Sequence, residues 1–150
     1  MGKRKWWLLA AILWMVVIFI FTQLPLSTGE NTSGAIEEIV KTEHVSGVGH
    51  SGIETINLMV RKSTHVLTFG FLAFLFWKSF ELYRFSYIIA WVLTVLYAMT
   101  DEYHQSFMPG RVSSLKDVFI YDSTGAFLVL LITFLMKRKN RLKEKKLRGE

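Results

Sequence analysis

Residues 85–102 read FSYIIAWVLTVLYAMTDE, an uncharged run from Phe85 to Thr100 that ends on two adjacent carboxylates, Asp101 and Glu102. Wound as a helix, the run covers about 24 Å, most of the roughly 30 Å hydrocarbon core of a bilayer. The carboxylates mark where it leaves the apolar layer. Downstream, Tyr103 to Lys116 is polar and contains Pro109-Gly110, a strong turn signal. A second apolar run follows from about Leu115 to Met136, with Asp117 and Asp122 in its first two turns.

Upstream, Lys78 to Arg84 forms a tight connection to Thr64–Trp77, whose 14 residues are short for a span. Helical spacing of Ile53, Ile56, Met59 and Val60 extends this segment backwards through Arg61 and Lys62. One long helix is therefore expected, with Arg61, Lys62 and His65 at or just inside the membrane boundary. A cation costs about 2.5–3.5 kcal/mol at the bilayer centre and less near its edge, where long side chains snorkel outward. Residues Ser27 to Gly52 read as a polar loop with a helical hint at Ala35–Val40. Its glycines lack the lysine and preceding strand of a phosphate loop. Asn31-Thr32-Ser33 matches a glycosylation sequon by a pattern short enough to arise by chance.

The first apolar run, Trp6 to Thr22, follows Lys3, Arg4 and Lys5. A secretory signal has the same layout, but Thr22-Gln23-Leu24-Pro25-Leu26 offers no small-x-small cleavage pattern, so an uncleaved helix is expected. The sequence thus predicts an all-α membrane protein with four transmembrane helices, a domain over 1–136 and a basic tail over 137–150.

Charge sets the orientation. Of 18 Lys plus Arg, thirteen fall at the N-terminus, in the 78–84 connection and in the tail, and five (Lys41, Arg61, Lys62, Arg111, Lys116) on the other side. The positive-inside rule then puts both termini in the cytoplasm of a multi-pass plasma-membrane protein. Trp6, Trp7, Trp77, Tyr83 and Tyr87 fall at the inner interface as an aromatic belt. The basic excess belongs to the ends of apolar runs, so nucleic-acid binding is not expected, and the tail would touch anionic lipid. The absence of cysteine excludes disulfides and thiolate metal sites.

With that topology, polar residues gather at the outer face. Lys62 and His65 share one face of their helix, and Asp101 shares a face with His104 and Gln105. Glu102, Arg111, Asp117 and Asp122 join them, while Gln23 and Pro25 close the first helix at the same level. Asp122 lies deepest, and ionisable residues within spans face a partner or a cavity. The plainer reading is that Arg61, Glu102 and Lys116 cap helices and mark the interface. Gly70 with Ala73, and Gly125 with Ala126, suit close helix packing. A metal site from His65, His104, Asp101 and Glu102 has no tight spacing behind it, so no metal or cofactor is expected. Catalysis with His65 or His104 as acid or base, assisted by Asp101 or Glu102, stays open. Ser106, Ser113 and Ser114 are nearby nucleophiles, though none sits in a recognisable elbow.

The string Asp101-Glu102-Tyr103-His104-Gln105-Ser106-Phe107-Met108-Pro109-Gly110-Arg111, followed by Ser113-Ser114 and Asp117-Val118, resembles the signature of the VanZ-like membrane proteins. Gln23-Leu24-Pro25 and Lys62-x-x-His65 support it, and the likeness runs from about Trp7 to Met136. The resemblance implies a role in low-level resistance to glycopeptides, teicoplanin above all. It also implies functional positions at Lys62, His65, Asp101, Glu102, His104, Gln105, Arg111 and Asp117. One departure stands out. The family commonly has Asn or Asp four residues after the Asp of the last helix, with Gly three further on. Here Tyr121 occupies that place, and Asp122 and Gly125 keep the three-residue spacing one step later.

Two functions are therefore expected to compete. The first is an outer polar pocket that binds membrane lipid, a cell-wall precursor or the glycopeptide. The second is a membrane-embedded enzyme acting on a lipid-linked or peptidoglycan substrate. A transporter ranks third, because four spans without an internal repeat are few for alternating access unless the chain forms a homo-oligomer.

Overall fold

The computed structural model describes residues 2–24, 29–42, 49–108 and 113–148. Among them the chain is all-helical, with five helices. These are α1 (Gly2–Gln23), α2 (Gly29–Thr42), α3 (His50–Phe80), α4 (Ser86–Gln105) and α5 (Leu115–Arg148). The stretch Ser27–Gly52, read as a polar loop, is instead helical over Gly29–Thr42 and again from His50, with the helical hint at Ala35–Val40 inside α2. α3 runs unbroken from before Ile53 to beyond Trp77, as the apolar spacing predicts. The last apolar run and the basic tail are one continuous rod.

Two helices, Arg4–Gln23 and Leu115–Arg148, are long and apolar enough to cross a membrane by length and composition. In α3 the apolar part is diluted by Arg61, Lys62 and His65, and α4 carries Asp101 and Glu102 within its 20 residues.

α3 is the central element, packed against α1, α2, α4 and α5. Phe69, Leu72, Ala73, Leu75 and Phe76 of α3 form the middle of the core with Ala11 and Ile18 of α1, Ala90 and Ala98 of α4, and Ala126 and Leu130 of α5. Small residues at these contacts let backbones approach, which matters where lipid replaces water and burial of apolar surface gives little drive for association. Gly125 is the tightest point: a Cβ there would lie 2.8 Å from the Val66 Cα. At Gly70 the nearest obstacle is the tip of the Val129 side chain. Hydrogen bonds lock the registers. Trp14 donates its indole N–H to the Thr68 carbonyl oxygen at 3.1 Å, and Tyr97 donates its hydroxyl to that of Met15 at 2.5 Å. Asn57 donates to Ser33 Oγ at 2.6 Å and holds α2 against the start of α3.

α5 contains a π-helical turn at Val118–Asp122. In a regular α-helix, residues five apart point about 140° away from each other, whereas one i→i+5 turn brings them onto the same side. Asp117 and Asp122 consequently both face α3. The inserted residue carries Tyr121 under Lys62. The one-step offset read in the sequence is therefore absorbed by the backbone, and Asp122 reaches the position that a four-residue spacing would serve.

Candidate functional site

The polar residues of α1, α3, α4 and α5 meet at one end of the bundle. Lys62 donates from its ammonium to Asp117 Oδ2, and the same ammonium lies 4.4 Å from the centre of the Tyr121 ring. One turn further along α3, His65 Nδ1 is 3.0 Å from Asp122 Oδ1. That imidazole stacks on Phe69 of its own helix, 5.9 Å between ring centres. Asp122 is 1% exposed, so the histidine is the partner that makes its burial tolerable.

On α4, Asp101 and Gln105 are one turn apart, and Gln105 donates its amide to Asp101 Oδ2 at 2.7 Å. The other carboxylate oxygen, Oδ1, is buried without a hydrogen-bond partner among the described residues. Thr22 lies beside Asp101, but its hydroxyl donates to the Phe19 carbonyl oxygen at 2.7 Å. His104 Nε2 is 2.9 Å from the Gln23 side-chain amide, and the imidazole packs on Phe19, so α1 closes the site from a third direction. His104 Nδ1 is likewise buried and unpartnered among the described residues. A buried polar atom left without a partner costs about 1–3 kcal/mol, which makes these two atoms the outstanding anomalies of this end.

Glu102 has a different task. Its carboxylate accepts the backbone N–H of Ser114, and its carbonyl oxygen accepts the Ser113 hydroxyl at 3.1 Å. It thereby ties the chain entering α5 to the end of α4. Ser113 and Ser106, which donates to the Tyr103 carbonyl oxygen, are turned to the backbone rather than to a histidine. Arg111 and Pro25, singled out in the sequence, lie outside the described residues. Eight of the others form four pairs: Lys62 with Asp117, His65 with Asp122, Asp101 with Gln105, and His104 with Gln23. No group of three or more His, Asp and Glu able to hold a metal ion occurs among the described residues.

The VanZ/LLP1 family model matches residues 7–137. The chain belongs to the VanZ/LLP1 family. Neither the comparison with curated proteins nor that with solved structures gives a match. For a VanZ/LLP1 protein the match embraces every pair just described, from Gln23 on α1 to Asp122 on α5.

Sequence reasoning missed two features. The first is the bond between Gln23 and His104, residues 81 apart whose pairing depends on how α1 leans on α4. The second is Arg61, read from the sequence as an interface marker. It makes no ion pair among the described residues and borders a groove of about 450 Å³ between α1 and α3. Trp14, Val17, Phe21, Val60 and Phe69 line that groove, and Asp101, His65 and Arg61 stand where it meets the polar end.

Proposed function

We propose that this VanZ/LLP1 protein crosses the bacterial plasma membrane four times with both termini in the cytoplasm. Its polar end, on the outer side, binds the head of a membrane lipid, a wall precursor or a glycopeptide and lowers access of teicoplanin-type drugs. Several observations support the spans. All four long helices expose large apolar side chains, among them Leu13 and Ile20 of α1, Leu67 of α3, Ile88 and Leu96 of α4, and Phe127 and Ile132 of α5. The thirteen basic residues gather at the end opposite the site.

The observation that carries the binding reading is Asp101. It is a nearly buried carboxylate whose second oxygen is unmatched among the described residues, at the mouth of a groove of ligand-pocket size. Lys62 is already engaged by Asp117, so the capacity to take a ligand resides in Asp101, His65, His104 and Arg61. The test is teicoplanin susceptibility of a sensitive Gram-positive host expressing inserted protein. Asp101→Leu is expected to abolish protection at unchanged membrane abundance, and undiminished protection would refute the reading.

A second reading, a membrane-embedded enzyme, is favoured by one observation. Asp122 holds His65 at Nδ1 while the imidazole lines the groove, the arrangement of a general base with its orienting carboxylate. Incubation of the pure protein with lipid-linked and peptidoglycan precursors would then give a product of new mass, lost in His65→Gln. Lack of turnover across such a panel would leave binding alone.

A further inference from the structure

The groove between α1 and α3 asks for a ligand of particular shape. Val17, Phe21 and Val60 on its walls are also exposed on the outside of the bundle, so it opens sideways onto the apolar perimeter. A molecule reaching it from within a bilayer needs no passage through water. The groove ends on three groups of different demand. Arg61 has no ion-pair partner among the described residues, and a guanidinium matches the geometry of a phosphate oxygen pair. Asp101 lines the groove, and its Oδ1 is buried and lacks a donor among the described residues. Thr64, three residues from Arg61 on the same helix, donates its hydroxyl to the Val60 carbonyl oxygen and offers the rim only an acceptor.

We infer that the groove holds one chain of a phospholipid whose phosphate rests on Arg61 and whose head hydroxyl or amine donates to Asp101. The inference deepens the binding reading above and rests on it. The cation and the carboxylate act on different parts of one head: Arg61 takes the anion, and Asp101 takes the hydrogen-bond donor beside it. A lipid with a phosphate but no donor in its head, such as phosphatidylcholine, satisfies Arg61 and leaves Asp101 unmatched. Head selectivity is therefore the signature of the site, and a lipid merely coating the bundle would show none.

Native mass spectrometry of the purified full chain in detergent, titrated separately with phosphatidylglycerol, phosphatidylethanolamine and phosphatidylcholine, tests this. One molecule of a donor-bearing lipid is expected to remain per protein, with phosphatidylcholine held about tenfold more weakly. A preference between the first two identifies the donor as hydroxyl or amine. Arg61→Gln is expected to weaken the preferred lipid about tenfold. Val17→Trp fills the groove from an exposed position and is expected to remove retention without lowering the melting temperature. Equal retention of all three lipids, or retention indifferent to Val17→Trp, would overturn the inference. If that happens while Asp101→Leu still loses drug protection, the head-binding reading survives without the lipid groove. Selective retention with no effect of Asp101→Leu on susceptibility has the opposite meaning.

Discussion

The two ends of this bundle use the same kinds of residue for different ends. At the site, ion pairs cross between helices, Lys62 with Asp117 and His65 with Asp122, and the Asp122 carboxylate is fully buried. At the opposite end, Glu81 accepts from Lys78 at 2.8 Å and from Lys137 at 2.5 Å, each side chain about 30% exposed. Both lysines also lie over the Trp77 ring, while Arg4 donates to the Ser79 carbonyl oxygen and covers Tyr83. There the charged groups satisfy one another at the surface and fasten the α3–α4 turn to α1 and α5. The clasp end leaves the Trp77 indole N–H buried without a partner among the described residues, whereas the unmatched atoms at the site end, Asp101 Oδ1 and His104 Nδ1, belong to titratable groups. Mutually satisfied charges mark a clasp, and a buried titratable group with unspent bonding capacity marks a site.

The largest break in the comparison is expected at Gly125, because the site pairs depend on the close approach of α3 and α5. Gly125→Ala drives a methyl group into the Val66 backbone and should cost about 3 kcal/mol, read by unfolding in mixed micelles. Gly70→Ala meets a side-chain tip that can rotate, and it should cost clearly less.

Double-mutant cycles come next. The coupling of Lys62 with Asp117, a partly buried charge-assisted hydrogen bond, should be about 1.5–3 kcal/mol. That of Lys137 with Glu81 should stay at about 0.2–1 kcal/mol. Equal couplings would erase the distinction between the two ends.

A chain lacking Ile120 is a subtler test. Removing one exposed residue of the π turn should convert it to α-helix and keep the carboxylate of Asp122 opposite His65, at a cost of about 1 kcal/mol. Deleting Leu128 from the regular part of α5 instead rotates everything beyond it by about 100° and should be far more damaging.

The smallest effect is one of acidity. Lys137 first, and then Lys78, hold the Glu81 carboxyl below the usual glutamate range. A carboxylate so shifted stabilises the fold above its unfolded-state pKa, and that contribution is lost as pH falls through the lowered value. The Lys137–Glu81 coupling should therefore be present at neutral pH and vanish in strong acid.

The helices were legible because their apolar runs are long and their ends are charged. Asp101-Glu102 marks the end of the apolar run of α4, which continues one turn further to Gln105, and Ile53, Ile56 and Val60 show α3 beginning well before its apolar part. The site was legible as a level in the bundle rather than as pairs. Lys62 and His65 declared a shared face by their spacing, but their partners on α5 were hidden by the π turn. A single inserted residue shifts the phase of a helix without changing its composition, so the spacing of Asp117 and Asp122 did not tell which residues of α3 they meet. The only trace was the misplaced Tyr121. Gln23 and His104 each stood out, yet nothing local joins residues on α1 and α4. Arg61 looked like any interfacial cation because its groove exists only once α1 lies against α3.

Everything functional proposed for this chain requires its polar end to face away from the cytoplasm, and a single labelling experiment addresses that directly. The chain has no cysteine, so Tyr103→Cys at the site end and Leu82→Cys at the clasp end each introduce one thiol at an exposed position. A membrane-impermeant maleimide applied to intact cells should label Tyr103→Cys at once and Leu82→Cys only after lysis. Labelling of Leu82→Cys in intact cells, with Tyr103→Cys protected, would contradict the account.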